Sequence, residues 1–376
     1  MKQLLSILLL LTLIACGQEE KTTMSGLNPE NFESIVDGKR TGLYTLKNKN
    51  GMEVSITNFG GRIVSMMVPC KDGISRDVVL GFDSIQDYLT YPTDFGASIG
   101  RYANRIHKGQ FTLDSVSYVL PQNNFGHCLH GGPKGFQYQV YDVDRCTANE
   151  LLLSYLSKDG EEGFPGNLIC HVKMTLDDDN ALHIDYDAVS DKPTIINMTN
   201  HSYFNLDADF TADNSGMLLQ LNADHYTPID STFMTTGEIA SVAHTPFDFR
   251  EFKTLGEAYR DSSDQISFAR GIDHNWVLNT KGNLEETCAT LQSEKTGIQL
   301  VVYTSEPGIQ VYSGNFLDGS LRGKRGQVYN QRASVCLETQ KYPDTPNKPD
   351  WPSCILRPGQ KYVSHTIYKF NVAGAL

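Results

Sequence analysis

The order of apolar and polar residues along the chain predicts mainly β-strands. In the segment 182–188, Leu, Ile, Tyr and Ala alternate with His and Asp, which is the period of a half-buried strand. Apolar-rich runs predict four further strands, at 53–57, 151–155, 217–221 and 300–303. Helical patterns are scarce. One short helix is predicted to begin at Asp83 or Ser84 and to include Ile85, Tyr88 and Leu89.

Turn signals separate these strands and bound the domain. Asn-Gly and Asp-Gly pairs or short polar clusters occur at 50–51, 72–73, 159–160, 177–180 and 281–283. Many short strands with frequent turns, and no β-α-β rhythm, indicate an all-β sandwich or barrel. Because no repeat or shift in composition follows residue 30, we predict one large β-sandwich domain over residues 31–376.

The first 30 residues have a different character. Residues 4–14 are apolar except for Ser6 and Thr12, and Lys2 precedes them. Such a run is too short for a comfortable membrane span and is typical of a signal peptide. It ends in Leu-Ile-Ala-Cys at 13–16, which resembles a bacterial lipobox.

We therefore predict a lipoprotein signal over residues 1–16, with lipid attached to Cys16, and a flexible polar tether over 17–30. The protein is then exported and held at a bacterial membrane by lipid alone. The alternative is an ordinary secretory signal in which Cys16 is a coincidence.

Composition and charge narrow the range of partners. The chain has 376 residues and is 40 % hydrophobic, which is enough for a substantial core and excludes the disordered class. A net charge of −12 argues against nucleic acid as a partner. Beyond Cys16 there are seven cysteines without a CxxC motif, so zinc ribbons and redox motifs are not supported. Most of these cysteines are expected to be buried, and whether any two form a disulfide is open. A monomer suffices for every role described below.

Two segments supply groups for proton transfer. Glu338 ends the apolar run 335–338 and precedes a break at Pro343, and His201 lies among amides and aromatic residues in the segment 197–206. A carboxylate can act as a general base and an imidazolium as a general acid. Taken singly, each has an ordinary explanation, as a solvated strand end and as a core histidine.

Four more segments carry side chains suited to sugar hydroxyls. Asn104 and Arg105 adjoin, and His130 precedes two glycines. Asp273 lies close to an aromatic residue, and Gln310 falls on a predicted strand. Arg offers a fixed fork of donors, and Asn offers both a donor and an acceptor. Taken one by one, these residues also fit a surface charge, a turn, a loop cap and an exposed strand position.

The motifs of several other chemistries are absent. No HExxH spacing supports a metal site, and no GxxxxGK[ST] or GxGxxG supports a phosphate site. The nucleophile motif GxSxG is also missing.

Taken together, the polar segments resemble the aldose 1-epimerase (galactose mutarotase) family. Eight motifs follow the family's order, and the resemblance covers nearly the whole chain after residue 30. They are Gly-Arg-Tyr-Ala-Asn-Arg-Ile at 100–106, Leu-His-Gly-Gly at 129–132, Asp-Gly-Glu-Glu-Gly-Phe-Pro-Gly at 159–166, Thr-Asn-His-Ser-Tyr-Phe-Asn-Leu at 199–206, Pro-Phe-Asp-Phe-Arg at 246–250, Asp-His-Asn at 273–275, Gly-Asn-Phe-Leu-Asp-Gly at 314–319 and Leu-Glu-Thr-Gln at 337–340.

The resemblance implies a fold, an activity and residue roles. The fold is a large single-domain antiparallel β-sandwich with an open cleft, and the activity interconverts α and β anomers of free aldohexoses without a cofactor or metal. Glu338 matches the family's general base and His201 its general acid. The implied sugar contacts are Arg105, His130, Asp273 and Gln310, with Asn104 and Tyr203 as close neighbours. Two stretches depart from the family pattern, 305–307 and 122–128, and either could alter the preferred sugar.

The reaction also fits these residues on chemical grounds. Opening a cyclic hemiacetal requires removal of the C1 hydroxyl proton and protonation of the ring oxygen, and rotation about C1–C2 before reclosure gives the other anomer. We further expect an aromatic residue such as Trp276 or Phe204 to pack on an apolar face of the sugar.

Three other functions remain open at this point. A glycoside hydrolase needs two carboxylates, such as Glu338 and Asp273, and leaves His201 without a role. A non-catalytic carbohydrate-binding lipoprotein does not need both Glu338 and His201. A sugar-phosphate epimerase is disfavoured because no extra Lys/Arg cluster adjoins the motifs.

Overall fold

The computed structural model describes residues 22–373, which form β-strands with few helices. In chain order, the first ten strands are β1 (Ser34–Val36), β2 (Lys39–Thr41), β3 (Leu43–Lys47), β4 (Glu53–Thr57), β5 (Arg62–Pro69), β6 (Ser75–Asp77), β7 (Ala97–Ile99), β8 (Arg105–Ile106), β9 (Gln110–Leu113) and β10 (Val116–Val119). The next ten are β11 (Cys128–Leu129), β12 (Asp142–Cys146), β13 (Glu150–Ser157), β14 (Leu168–Leu176), β15 (Ala181–Ser190), β16 (Thr194–Ile195), β17 (Thr199–His201), β18 (Tyr203–Phe204), β19 (Leu218–Leu221) and β20 (His225–Thr227). The last are β21 (Ala240–Ser241), β22 (Lys253–Thr254), β23 (Asp273–Val277), β24 (Ala289–Gln292), β25 (Ile298–Thr304), β26 (Gly308–Tyr312), β27 (Val335–Gln340), β28 (Ile355–Leu356) and β29 (Tyr362–Val372).

The helices are short. They are α1 (Ile85–Thr90), α2 (Leu255–Tyr259) and α3 (Asp264–Ala269), together with 3₁₀ turns at Pro29–Phe32, His107–Gly109, Phe136–Tyr138, Glu161–Gly163, Lys324–Gly326 and Thr345–Asn347. Helix α1 confirms the prediction, and its N-terminus is capped by the Ser84 hydroxyl, which accepts from the Asp87 N–H. Helices α2 and α3, of five and six residues, were not predicted from the sequence.

Three sheets make up most of the domain, and their strands pair antiparallel. A nine-stranded sheet has the order β12-β13-β14-β15-β29-β25-β24-β19-β22, a six-stranded sheet has the order β18-β27-β26-β23-β20-β21, and a four-stranded sheet has the order β3-β4-β5-β6. The predicted strands at 53–57, 151–155, 182–188, 217–221 and 300–303 all coincide with observed ones to within a few residues.

The main core combines side chains of the nine-stranded, six-stranded and four-stranded sheets. Strands β14 and β15 bury every second side chain, as the alternating sequence predicts for a sheet with one wet face. Strand β27 is buried along its whole length, so it is covered on both faces. Leu337 contributes to the core, and its carbonyl accepts from the Tyr368 hydroxyl at 3.0 Å, which ties β27 to β29.

Part of the predicted tether is packed on the domain, so that prediction is wrong for residues 22–30. Leu27 and Phe32 are buried in a second apolar cluster, and the Met24 N–H donates to Glu53 at 2.7 Å. The polar composition of this stretch hid the apolar anchor Leu27 and the start of a 3₁₀ turn at Pro29. The signal, Cys16 and the start of the tether lie outside the described residues.

Two smaller expectations concern membranes and cysteines. Within residues 22–373, no helix combines the length and the apolar character needed to cross a membrane. All seven cysteines in that range are free, and six of them are buried. Burial therefore accounts for most of the cysteines, as predicted.

Candidate active site

The six-stranded sheet presents one face to the core and the other to a polar cavity. On β27, Leu337 belongs to the core. Because side chains alternate between the two faces of a strand, Glu338 points to the opposite side. On β26, Ile309 and Val311 belong to the core, which turns Gln310 to the same side as Glu338. Gln310 and Glu338 are directly paired across the two strands. Adjacent central strands thus hold both polar side chains in fixed register.

Strand β23 adds Asp273 to this face. Its carboxylate accepts a hydrogen bond from Gln310 Nε2 at 2.7 Å. Burial raises the pKa of Asp273, while the Arg105 charge and the Gln310 hydrogen bond oppose that rise. Asp273 is a predicted sugar contact. In the structure its carboxylate is held by Gln310 and lies near the positive charge of Arg105.

His201 comes from a different strand and meets Glu338 at the base of the cavity. It ends β17, which pairs with β7 and contacts β27. The distance from His201 Nε2 to Glu338 Oε1 is 3.4 Å, and both side chains are almost completely buried. No group among residues 22–373 hydrogen-bonds His201 Nδ1 or Glu338 Oε2. The Tyr203 ring stacks on the imidazole with centroids 5.0 Å apart and fixes its plane.

Burial opposes charge on both members of this pair. It raises the pKa of Glu338 well above its ordinary value, helped by the nearby Asp273 and Asp94 and opposed by Arg105. It also lowers the pKa of His201. Shifts in these directions favour the neutral pair, with the shared proton on Glu338, and the 3.4 Å separation allows that proton to move to His201 Nε2.

His130 and Asn104 form a locked unit at the side of the cavity. The Asn104 N–H donates to His130 Nδ1, and the His130 N–H donates to the Asn104 carbonyl, both at 3.1 Å. Burial lowers the pKa of His130 to about 3, so the imidazole is neutral at physiological pH. Because Nδ1 accepts, the ring proton lies on Nε2.

Arg105 is held from two sides. Asn124 Oδ1 accepts from its Nε and Nη2 at 3.1 and 2.9 Å, and the guanidinium lies 5.1 Å from the centre of the Phe233 ring. Burial lowers its pKa, and the charges of Asp273 and Glu338 oppose that shift. The guanidinium therefore supplies positive charge near the two buried carboxylates.

These side chains line one cavity of about 270 Å³. Seven of the eight predicted catalytic and sugar-contacting residues line it: Asn104, Arg105, His130, His201, Tyr203, Asp273 and Glu338. Gln310 lies beneath it, bonded to Asp273. The lining also includes residues that the sequence did not single out: Asp94, Asn124, Phe125, Leu129, Tyr312 and Phe316.

Comparison of the sequence with known proteins identifies the family to which this site belongs. A family model described as "Aldose 1-epimerase" matches residues 42–369. The chain belongs to the aldose 1-epimerase family. Galactose mutarotase of Bos taurus is 42 % identical over 323 residues, which are 86 % of this chain and 92 % of that protein. The aldose 1-epimerase of Escherichia coli strain K12 is 40 % identical over 337 residues, or 89 % and 96 % of the two chains.

Solved structures of aldose epimerases share the fold. A homologue from C. elegans has a TM-score of 0.83 at 33 % identity and covers 89 % of this chain and 100 % of its own. Galactose 1-epimerase from Lactobacillus acidophilus has a TM-score of 0.80 at 31 % identity, with coverage of 90 % and 97 %. The predicted antiparallel fold and the isomerase activity are therefore confirmed, and the protein interconverts the anomers of aldoses.

The aromatic residues expected at the epimerase site are not the ones found there. Trp276 and Phe204 are fully buried in the main core, and the Trp276 Nε1–H donates to the Phe247 carbonyl. Each alternates with a residue on the cavity side of its strand, so its own side chain faces the core. Phe125, Tyr312 and Phe316 line the cavity instead.

The two departures from the family pattern lie in different places. Glu306, in 305–307, is buried away from the cavity, with its carboxylate 3.0 Å from Lys341 Nζ and hydrogen-bonded by the Tyr362 hydroxyl. In 122–128, by contrast, Asn124 and Phe125 line the epimerase cavity. The second departure is therefore the one placed to affect the sugar.

Two overlapping groups of epimerase side chains bring ligand-type atoms within 4.8 Å of one another. They are Asp94, His130 and His201, and His201, Cys336 and Glu338. Both groups share His201. Acid–base ring opening needs neither a metal nor a cofactor, and the predicted independence from cofactors stays a prediction.

Proposed function

We propose that Glu338 and His201 carry out the epimerase reaction, as general base and general acid, on a free aldohexose of the glucose or galactose type. The observation that carries this proposal is the 3.4 Å separation of His201 Nε2 and Glu338 Oε1 at the base of the cavity. The C1 hydroxyl and the ring oxygen of an aldose are bonded to the same carbon atom. A base and an acid that serve both must therefore lie side by side, as these two do.

The proton transfers follow from this arrangement. In the active form the single proton of the pair lies on His201 Nε2, and Glu338 is a carboxylate stabilised by the charge of Arg105. Glu338 takes the proton of the C1 hydroxyl while His201 gives its proton to the ring oxygen, and the C1–O5 bond breaks. After rotation about C1–C2, the roles reverse and the ring closes as the other anomer. The pair ends with one proton, as it began.

The remaining predicted residues suit the other hydroxyls of the sugar. Arg105 and the His130 Nε2–H are donors, and the Asp273 carboxylate is an acceptor. Gln310 orients Asp273, Asn104 orients His130, and Tyr203 packs on His201. These contacts fix the sugar over the acid–base pair, which lowers the entropic part of the barrier.

A neutral sugar suits the cavity better than a sugar phosphate. Three carboxyl groups line it, those of Asp94, Asp273 and Glu338, and Arg105 is its one guanidinium among the described residues. A phosphate dianion entering this site would face more negative than positive charge. Galactose is the first substrate to test, since the bovine relative is a galactose mutarotase.

Polarimetry of freshly dissolved α-galactose and α-glucose tests this proposal. We expect the optical rotation to reach its equilibrium value faster with enzyme than without it, and no sugar other than the two anomers to form. Binding without acceleration would support a carbohydrate-binding role and contradict the proposal. Release of reducing sugar from a glycoside would support hydrolysis.

We also propose that the epimerase is exported and anchored through lipid on Cys16, where it equilibrates anomers of incoming sugars before uptake. The support is the Leu-Ile-Ala-Cys sequence at 13–16 behind an apolar run. Fractionation and N-terminal mass spectrometry of the wild type and Cys16→Ser test it. Membrane-bound, lipidated wild type and unlipidated Cys16→Ser are expected. A cytosolic, unlipidated wild type would contradict the export but not the epimerase.

A further inference from the structure

Asp94 lines the sugar cavity, although neither the motifs nor the proton transfers above assign it a role. It lies in the loop between α1 and β7 and is partly buried. Its carboxylate and imidazole nitrogens of His130 and His201 all lie within 4.8 Å of one another. Asp94 is therefore next to both the acid and one of the proposed sugar contacts.

The loop that carries Asp94 is rigidly placed. Arg62 Nη1 donates to the carbonyls of Thr93 and Phe95 at 2.8 and 3.2 Å, and the Gly96 N–H donates to the His201 carbonyl at 3.0 Å. The Phe95 ring packs edge-on against Tyr203, with centroids 4.8 Å apart. These contacts fix the backbone on both sides of Asp94.

Within residues 22–373, the Asp94 carboxylate accepts no hydrogen bond. The hydrogen bonds of its loop are made by the backbone, and none of the described residues donates one to this carboxylate. The neighbouring Asp273 accepts from Gln310. An acceptor with free lone pairs at the wall of a polyol site is matched by a hydroxyl of the ligand.

His130 supplies the complementary half of such a contact. Its Nδ1 accepts from the Asn104 N–H, which leaves Nε2 as a donor. One hydroxyl group can accept from an N–H and donate to a carboxylate at the same time. A hydroxyl placed between His130 and Asp94 satisfies both, and its bond to the carboxylate is charge-assisted.

We propose that Asp94 is a specificity-determining residue that accepts a hydrogen bond from one ring hydroxyl of the aldose, the hydroxyl to which His130 donates. This inference rests on the proposed epimerase reaction in this cavity. Asp94 forms no bond to the reacting C1–O5 pair and takes no part in the proton transfers. It selects sugars that carry that hydroxyl in the right configuration.

The test combines Asp94→Ala and Asp94→Asn with deoxy aldoses that each lack one hydroxyl, at C2, C3, C4 or C6. In the wild type, one deoxy sugar is expected to lose about tenfold to a hundredfold in kcat/KM relative to the parent sugar. In Asp94→Ala that difference shrinks to within a fewfold, because the partner of the missing hydroxyl is already gone. The loss caused by Asp94→Ala on the parent sugar falls mainly on KM.

Three results would overturn the inference. One is an Asp94→Ala variant that discriminates among all deoxy sugars as the wild type does. The second is a loss confined to kcat that is equal for every sugar and accompanied by a shifted pH profile, since this would make Asp94 an electrostatic partner of His201. The third is an Asp94→Ala variant whose kcat/KM on the parent sugar equals that of the wild type, since Ala removes the acceptor that Asn would keep. A wild type that is inactive on every parent aldose would instead contradict the proposed function.

Discussion

The floor and the rim of the sugar cavity are built in different ways. Glu338 and Gln310 sit on neighbouring central strands and are almost completely buried. Phe125 and Phe316 sit in loops, with 58 % and 45 % of their surfaces exposed. Strand pairing fixes the chemical groups in register, whereas the rim can change without disturbing them. Floor substitutions should therefore lower kcat, and rim substitutions should mainly raise KM.

Phe125 lies in a two-residue turn with an unusual backbone conformation. Residues Asn124 and His127 exchange backbone hydrogen bonds, and the central residues Phe125 and Gly126 have φ values of 46° and 81°. Two positive φ angles in a two-residue turn are typical of type I′, where Asn or Gly is favoured at the first central position. Phe at this position costs local stability and places an aromatic ring at the mouth of the cavity.

The largest effect is expected for Glu338→Gln. Gln keeps the shape of the side chain but cannot take a proton, and loss of a general base costs about 10²–10⁴-fold in kcat. Polarimetry under saturating sugar measures it. Glu306→Gln is the matched control, because Glu306 is equally buried but pairs with Lys341 outside the cavity. Near-normal kcat in a folded Glu338→Gln variant would remove Glu338 from the mechanism.

The second-largest fall in kcat, after that of Glu338→Gln, is expected for His201→Asn. Asn can hydrogen-bond the ring oxygen but cannot protonate it, so kcat should fall by about a hundredfold or more while KM changes little. Another buried histidine outside the cavity, His274, provides the comparison as His274→Asn. A rise in KM alone would make His201 a binding residue.

Modest effects are expected at the rim. Phe316→Ala and Phe125→Asn should raise KM about two- to fivefold through the loss of one aromatic contact each, with kcat within about twofold of wild type. Asn suits the type I′ turn, so Phe125→Asn removes the ring without harming the backbone. A rim variant whose kcat falls as far as that of Glu338→Gln would break the distinction between floor and rim.

The smallest effect on catalysis is expected for His274→Asn, which should alter the pH dependence of stability instead. Burial lowers the pKa of His274 to about 3, against an ordinary value of 6.5. The unfolded chain therefore binds the proton more readily. The stability due to neutral His274 is complete above pH 6.5 and is lost as the pH falls toward 3. Thermal unfolding between pH 7 and pH 4 should show a shallower loss of stability in His274→Asn than in wild type. An unchanged slope would contradict this assignment.

The floor could be predicted from the sequence, and the rim could not. Glu338 and His201 lie in motifs whose residue types carry chemistry, and the alternation of β27 already implied that Leu337 and Glu338 face opposite sides. The acceptor Asp94 and the ring of Phe125 lie in loops, where no period reports which way a side chain points. The only signal was the atypical stretch 122–128.

The alternation of side chains along a strand explains why the expected aromatic residues are not in the cavity. Phe204 follows the cavity residue Tyr203, and Trp276 lies three residues after Asp273. A strand turns residues at odd spacings to opposite faces, so both aromatic side chains lie in the core. Leu27 and Phe32 show a different limit. Leu27 in the polar tether and Phe32 just after it are too isolated to show a period, and only the tertiary structure reveals that they pack.

The central claim is that Glu338 and His201 act together on one ring opening. The double variant Glu338→Gln/His201→Asn, compared with both single variants by polarimetry at saturating galactose, tests it most directly. If each residue needs the other, the double variant is expected to be about as slow as the slower single variant, because the second change removes nothing that still operates. A double variant slower by the product of the two single losses would show two independent contributions and contradict the account.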